Sequence, residues 1–181
     1  MWKSKTLLIL SLVWRSESQM KRKNMYLCKV EIKMWMMENV FELLEKPYWV
    51  VDILPKQVPK DSAGQYFKVE QYYLNNVERL SRQYADVLLK LNCYCDLVFS
   101  HDAEHWQLNP EPEKIIQMVK ACLSEQPTEA FLYVTLAEDT MLLTLQRDTT
   151  HMTLYNLTDE LLQLLCPLAS AVGLFVWSPT D

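Results

Sequence analysis

Glycine is almost missing from this chain: Gly64 and Gly173 are the only two in 181 residues. Loops that cradle phosphate need several glycines close together so that the backbone can approach the anion. Neither a P-loop nor a GxGxxG turn can be written around two isolated ones. Nucleotide binding through such loops is excluded. The five cysteines (Cys28, Cys93, Cys95, Cys122 and Cys166) are odd in number and form no CxxC, which argues for buried free thiols in a reducing cytosol over a disulfide framework or a zinc site. No G-x-S-x-G elbow is present for nucleophilic catalysis. The apolar run from Leu7 to Trp14 is far too short to span a bilayer, so no membrane span is expected.

What is present is ordinary globular composition, 50% hydrophobic and 23% charged, in a length that suits one domain with a core of its own. The charge is unevenly placed. Residues 1–36 hold eight Lys or Arg and two acids, and residues 37–181 hold ten and twenty-one, so a segment of net +6 precedes a body of net −11. An acidic body repels phosphate backbones, and no nucleic-acid partner is expected for it. The basic segment admits three readings. Residues 1–18 imitate an export signal, with Lys3 and Lys5 ahead of the apolar run but a poor Ser16-x-Ser18 cleavage site. A basic tail for anionic partners is the second. The third, which leads, is an extension that is not native, or is disordered, ahead of a start at Met36 or Met37; residues 37–181 are then the single globular domain.

Periodicity orders that domain as α-β-α-β-α-β-β-β-α-β. Residues 38–45 predict a short helix, and Tyr48 to Leu54 a buried strand. From Gln65 to Leu91, Tyr66, Val69, Tyr73, Val77, Leu80, Tyr84, Val87 and Leu91 recur at steps of three or four. This is the stripe of an amphipathic helix, which Asn75-Asn76 is expected to break. Cys93 to Phe99 alternates as a strand, with Cys93, Cys95, Leu97 and Phe99 facing the core. After a loop from Ser100, Asn109 is expected to cap a helix beginning at Pro110. Three strands follow within 130–136, 141–146 and 151–155, joined by connections short enough for antiparallel hairpins. A helix capped by Thr158, kinked or split by Pro167 and closed by Gly173 leads to a last strand at 174–177. The fold class is therefore α+β, a mostly antiparallel or mixed sheet of about five to six strands with helices packed on it.

The residues with most chemistry gather after the second strand. His101-Asp102-Ala103-Glu104-His105 spells H-x-x-E-H, the inverted zinc-protease pattern, in which two imidazoles one helical turn apart hold the metal and a carboxylate activates its water. That pattern belongs inside a helix. Here it follows a strand and runs within four residues into Leu108-Asn109-Pro110. A polar turn with solvated histidines is the expected structure, and His101, Glu104 and His105 are weak metal candidates. Trp106 and Asp102 in the same loop are the candidate partner contacts, with an anchor of the loop onto the core the favoured role for Trp106. His151 is expected to be structural, and Asp52 and Asp96, acids on otherwise apolar strands, to face solvent. With no catalytic set and no cofactor expected, the leading reading is an acidic cytoplasmic domain, non-catalytic, that binds a protein partner of basic character in an interaction or regulatory role. The alternative is a small metal-dependent hydrolase using the His101-Glu104-His105 cluster.

Overall fold

A computed structural model describes residues 40–59, 61–62, 64–101, 105–123, 130–136, 139–146 and 151–179, all within one compact unit that begins at Val40. Residues 40–44 are helical and stop ahead of Pro47, which disfavours helix in the residue before it. Strand β1 (Tyr48–Asp52) follows, then helices α1 (Tyr66–Asn75) and α2 (Val77–Leu91), which are the two halves of the long periodic stretch. The order continues through β2 (Asp96–Ser100), β3 (Gln107–Leu108), α3 (Pro112–Leu123), β4 (Ala130–Leu136), β5 (Asp139–Leu145), β6 (Met152–Tyr155), α4 (Asp159–Ser170) and β7 (Phe175–Trp177).

The strands form one antiparallel sheet in the order β3-β2-β4-β5-β6-β1-β7. It has seven strands where patterning implied five to six. The added strand is β3, whose two residues give no periodic signal and lie inside the stretch read as a loop. β3 and β4 flank β2 and are joined through α3, while β6 and β7 flank β1 and are joined through α4. Each of these is a β-α-β crossover with an antiparallel strand inserted between its two arms.

Register sorts the side chains onto two faces. Leu97 pairs with Val134, Val134 with Met141, Leu143 with Leu154, and Val51 with both Met152 and Val176; residues paired across a ladder share a face. That face meets Leu80, Tyr84, Leu88 and Leu91 of α2, Ile115, Val119 and Cys122 of α3, and Leu161 and Leu165 of α4 in the main core. Full burial of each leucine contributes roughly 1.5–3 kcal/mol, so this layer holds the fold. The opposite face carries Val50, Val98, Tyr133 and Leu142, buried but apart from the main core, beside buried Ser100, Thr144, Thr153 and Asp52.

Local chemistry explains the boundaries. Asn76 breaks the periodic stretch: its backbone leaves the helical region at φ −124°, and its side-chain amide donates to the Tyr72 carbonyl at 2.7 Å, ending α1. Thr158 caps α4 by accepting from the Leu161 N–H at 3.4 Å. Gly173, at φ +79°, lets Leu174 N–H reach the Ala169 carbonyl and Gly173 N–H reach the Ser170 carbonyl, the paired bonds of a Schellman end. Pro167 neither splits nor ends α4, which is continuous through it. Pro167 has no N–H to give the Gln163 carbonyl, and both residues are exposed, so that carbonyl is not stranded in the core.

Two assignments change. Helix α2 and its turn absorb Cys93, which is exposed with Sγ donating to the Leu89 carbonyl at 3.5 Å; only Cys95 of the pair is buried. Asn109 does not cap α3, which begins at Pro112. Pairing of β3 with β2 sets Asn109 beside Leu97 instead, at φ 42°, where Oδ1 accepts from Leu97 N–H at 2.9 Å and Nδ2 donates to Asp96 Oδ1 at 2.8 Å. No helix among the described residues is long and apolar enough to cross a membrane.

Candidate functional site

The loop after β2 places its described residues at the surface. His101 and His105 are exposed and neither is helical; the His101 ring lies 6.3 Å from that of Phe99. Trp106 is half-buried, its ring 4.9 Å from Tyr133 and tilted 40°, so the indole ties the loop to the second face of the sheet. Asp102 and Glu104 lie outside the described residues. Among those described, no three His, Cys, Asp or Glu side chains come together to hold a metal.

A perturbed carboxyl group is elsewhere, at the end of β1. Asp52 is only 5% exposed, although an acid on an apolar strand is expected to face solvent. The face of the sheet that Asp52 occupies is covered there, which corrects the solvent-facing expectation. The backbone N–H groups of Ile53 and Leu54 donate to its carboxylate, while Oδ1 has no partner among the described residues. Burial outweighs those two bonds and pushes the carboxyl from 3.8 up to about 6. Asp96, by contrast, is exposed and bonded to Asn109.

Several groups converge on Asp52. The β1–β6 ladder ends with Val51 paired to Met152, and Asp52 and His151 are the residues just beyond that pair on the two chains. Both line a cavity of about 260 Å³ with Tyr48, Leu54, Tyr66 and Trp177. Burial holds the His151 imidazole below its usual range, so it is neutral at pH 7. Trp177 is fixed by Nε1 donating to the Leu54 carbonyl at 2.9 Å, and Tyr48 by its ring contact with Tyr155, centroids 5.9 Å apart. On the core side, burial and then the Asp52 charge raise the Tyr73 and Tyr84 hydroxyls above their usual range. The Tyr73 hydroxyl is likewise buried without a partner among the described residues.

No family model, curated protein or solved structure matches the chain. Its own geometry has to carry the reading.

Asp52 and His151 are the kinds of group that exchange protons, but no Ser, Thr or Cys lines their cavity among the described residues. The buried Cys95 thiol is pushed up, by burial first and then by Asp96 and Glu160, which makes it unreactive. The second feature that sequence reasoning missed is the outer side of α1. This helix buries only Tyr73, and it presents Phe67 at 61% and Leu74 at 60% exposure. Residues seven apart lie on one helical stripe, so the two side chains form a pair two turns apart. The steps of three and four that mark the inward stripe draw attention away from this outer pair.

Proposed function

We propose that this chain is a non-catalytic protein-interaction domain of the cytoplasm, and that it docks a basic protein partner against the outer face of α1. The observation that carries the reading is the Phe67–Leu74 pair. A helix that commits one residue to the core and leaves two large apolar side chains about three-fifths exposed on one stripe is arranged for helix-to-groove contact. The net charge of −11 over residues 37–181 supports a partner of opposite sign, drawn in by long-range attraction. Free Cys93 and Cys166 at the surface fit a reducing compartment. The hydrolase reading has less support, since His101 and His105 are not helical and so lack the one-turn spacing that metal chemistry asks of them.

Comparative affinity capture tests the reading. The full chain and a Phe67→Ser/Leu74→Ser chain are used as bait in extract of the native cell. The expected result is a basic protein retained at near-stoichiometric yield by the first and lost from the second, with unfolding midpoints that agree closely. Equal retention by both chains, or retention of nothing specific by the first, would refute it.

A further inference from the structure

A second cavity, of about 410 Å³, opens between the segment after β1, helices α1 and α2, and the turn that follows α4. Its walls carry two kinds of surface. Ile53, Leu54 and Val69 supply half-buried aliphatic wall, and Lys68, Tyr72 and Arg79 supply hydrogen-bond donors. Residues 37–181 hold ten Lys and Arg against twenty-one acids, so two cations on one cavity are a local reversal of the charge of the body.

Local geometry gathers the donors. Lys68 and Tyr72 are four apart on α1, which puts them on one side of the helix, a turn from each other. Arg79 of α2 reaches across: its guanidinium donates to the Tyr72 hydroxyl and lies 5.7 Å from the centre of the ring. A guanidinium carries N–H groups on every nitrogen, so one bond to Tyr72 leaves others for a ligand. A hydroxyl that accepts from Arg79 also keeps its own hydrogen to give. Glu78, the acid next to Arg79 in the chain, is turned to α3, where it pairs with Lys120 at 2.5 Å. The floor of the cavity is fixed as well, because Gln83 Nε2 donates to the Val172 carbonyl and ties α2 to the turn at Gly173.

We propose that Lys68, Tyr72 and Arg79 form a binding site for a carboxylate carried on an aliphatic stem. The planar fork of Arg79 matches the two carboxylate oxygens, Lys68 adds a point charge, and Tyr72 adds a neutral donor. Ile53, Leu54 and Val69 take the stem, which a bare inorganic anion lacks. The volume falls within the range of small-molecule sites, about 300–1,000 Å³. Both cations are exposed, so each strengthens binding a few-fold and no more. Two sources share the chemistry, a free aliphatic acid and the glutamate side chain of a protein. The outer Phe67–Leu74 pair has no part in it, so the site stands whether or not α1 docks a partner.

The test titrates the full chain, isotope-labelled on glycine, at neutral pH and constant ionic strength. Gly173 lines the cavity, and its amide is one of only two glycine signals in the chain. Hexanoate and Nα-acetyl-glutamate amide are the carboxylate probes, and hexanoate is expected to shift that signal saturably. Neutral hexanamide is expected to bind at least about tenfold more weakly than hexanoate, and acetate, which lacks the stem, also about tenfold more weakly. Tighter binding of hexanoate assigns the site to free acids, and tighter binding of the glutamate amide assigns it to a protein side chain. Arg79→Gln is expected to lower hexanoate affinity about fivefold and Lys68→Gln about threefold. Lys90→Gln, which removes the same charge from the last turn of α2, is expected to leave it unchanged. Equal binding of hexanamide or acetate, unchanged affinity in either folded cavity variant, or an equal loss in Lys90→Gln overturns the proposal. So does the absence of a Gly173 shift with both carboxylates.

Discussion

Asp52 makes stability depend on pH in a direction opposite to that of most carboxylates. Below pH 3.8 its carboxyl is protonated in the folded and unfolded chain alike and costs nothing. As pH rises, the unfolded chain releases the proton near 3.8 and the folded chain keeps it until about 6. The burial penalty on the ionised form therefore grows across this window and is complete above it. The gap between about 6 and 3.8, at 1.36 kcal/mol per pH unit, corresponds to about 3 kcal/mol at pH 7. Asp52→Asn keeps the shape and can still accept from Ile53 and Leu54, but it never ionises. Relative to the parent chain, the variant is expected to gain about 3 kcal/mol between pH 4 and pH 7, or roughly 10 °C in Tm for a domain of this size. Thermal unfolding of both chains from pH 4 to pH 8 measures it. A stability difference that stays constant across the window refutes the burial of this carboxyl.

Two further outcomes test the backbone assignments. Gly173→Ala forces a Cβ into a left-handed position 3.4 Å from Gln83 Nε2, and should cost about 1–2 kcal/mol in urea unfolding; an unchanged midpoint contradicts the Schellman end of α4. Asn109→Ala loses both side-chain bonds and keeps the strain of φ 42°, for an expected loss of about 2 kcal/mol. Asn109→Gly should recover part of that loss, and identical values for the two variants would contradict the backbone contribution.

The α+β class and most element positions were legible because each rests on a local rule. The inward stripe of α2 follows from steps of three and four, the break at Asn76 from a residue that satisfies a helix end with its own amide, and β4, β5 and β6 from alternation across short connections. Thr158 and Gly173 mark the two ends of α4 for reasons of hydrogen bonding and φ that a sequence carries on its face. The site was less legible. Alternation says which face Asp52 occupies, but whether that face is covered depends on residues far away in the chain. The meeting of Asp52 with His151, Tyr66 and Trp177 depends on β1 being inserted between β6 and β7, which no local pattern encodes. Cys93 was placed with the strand because a two-residue alternation looks the same in a strand and in the turn that follows a helix. The H-x-x-E-H spelling, the most visible motif in the sequence, has neither of its histidines on a helix.

Hydrogen–deuterium exchange on the captured complex tests the interaction reading most directly. If a basic partner docks on the outer stripe of α1, amides of residues 66–75 exchange more slowly in the complex than in the free chain. The Phe67→Ser/Leu74→Ser chain then shows no such change under the same conditions. Protection confined to the loop around His105 and Trp106, with α1 exchanging as in the free chain, would place the partner elsewhere and contradict the account.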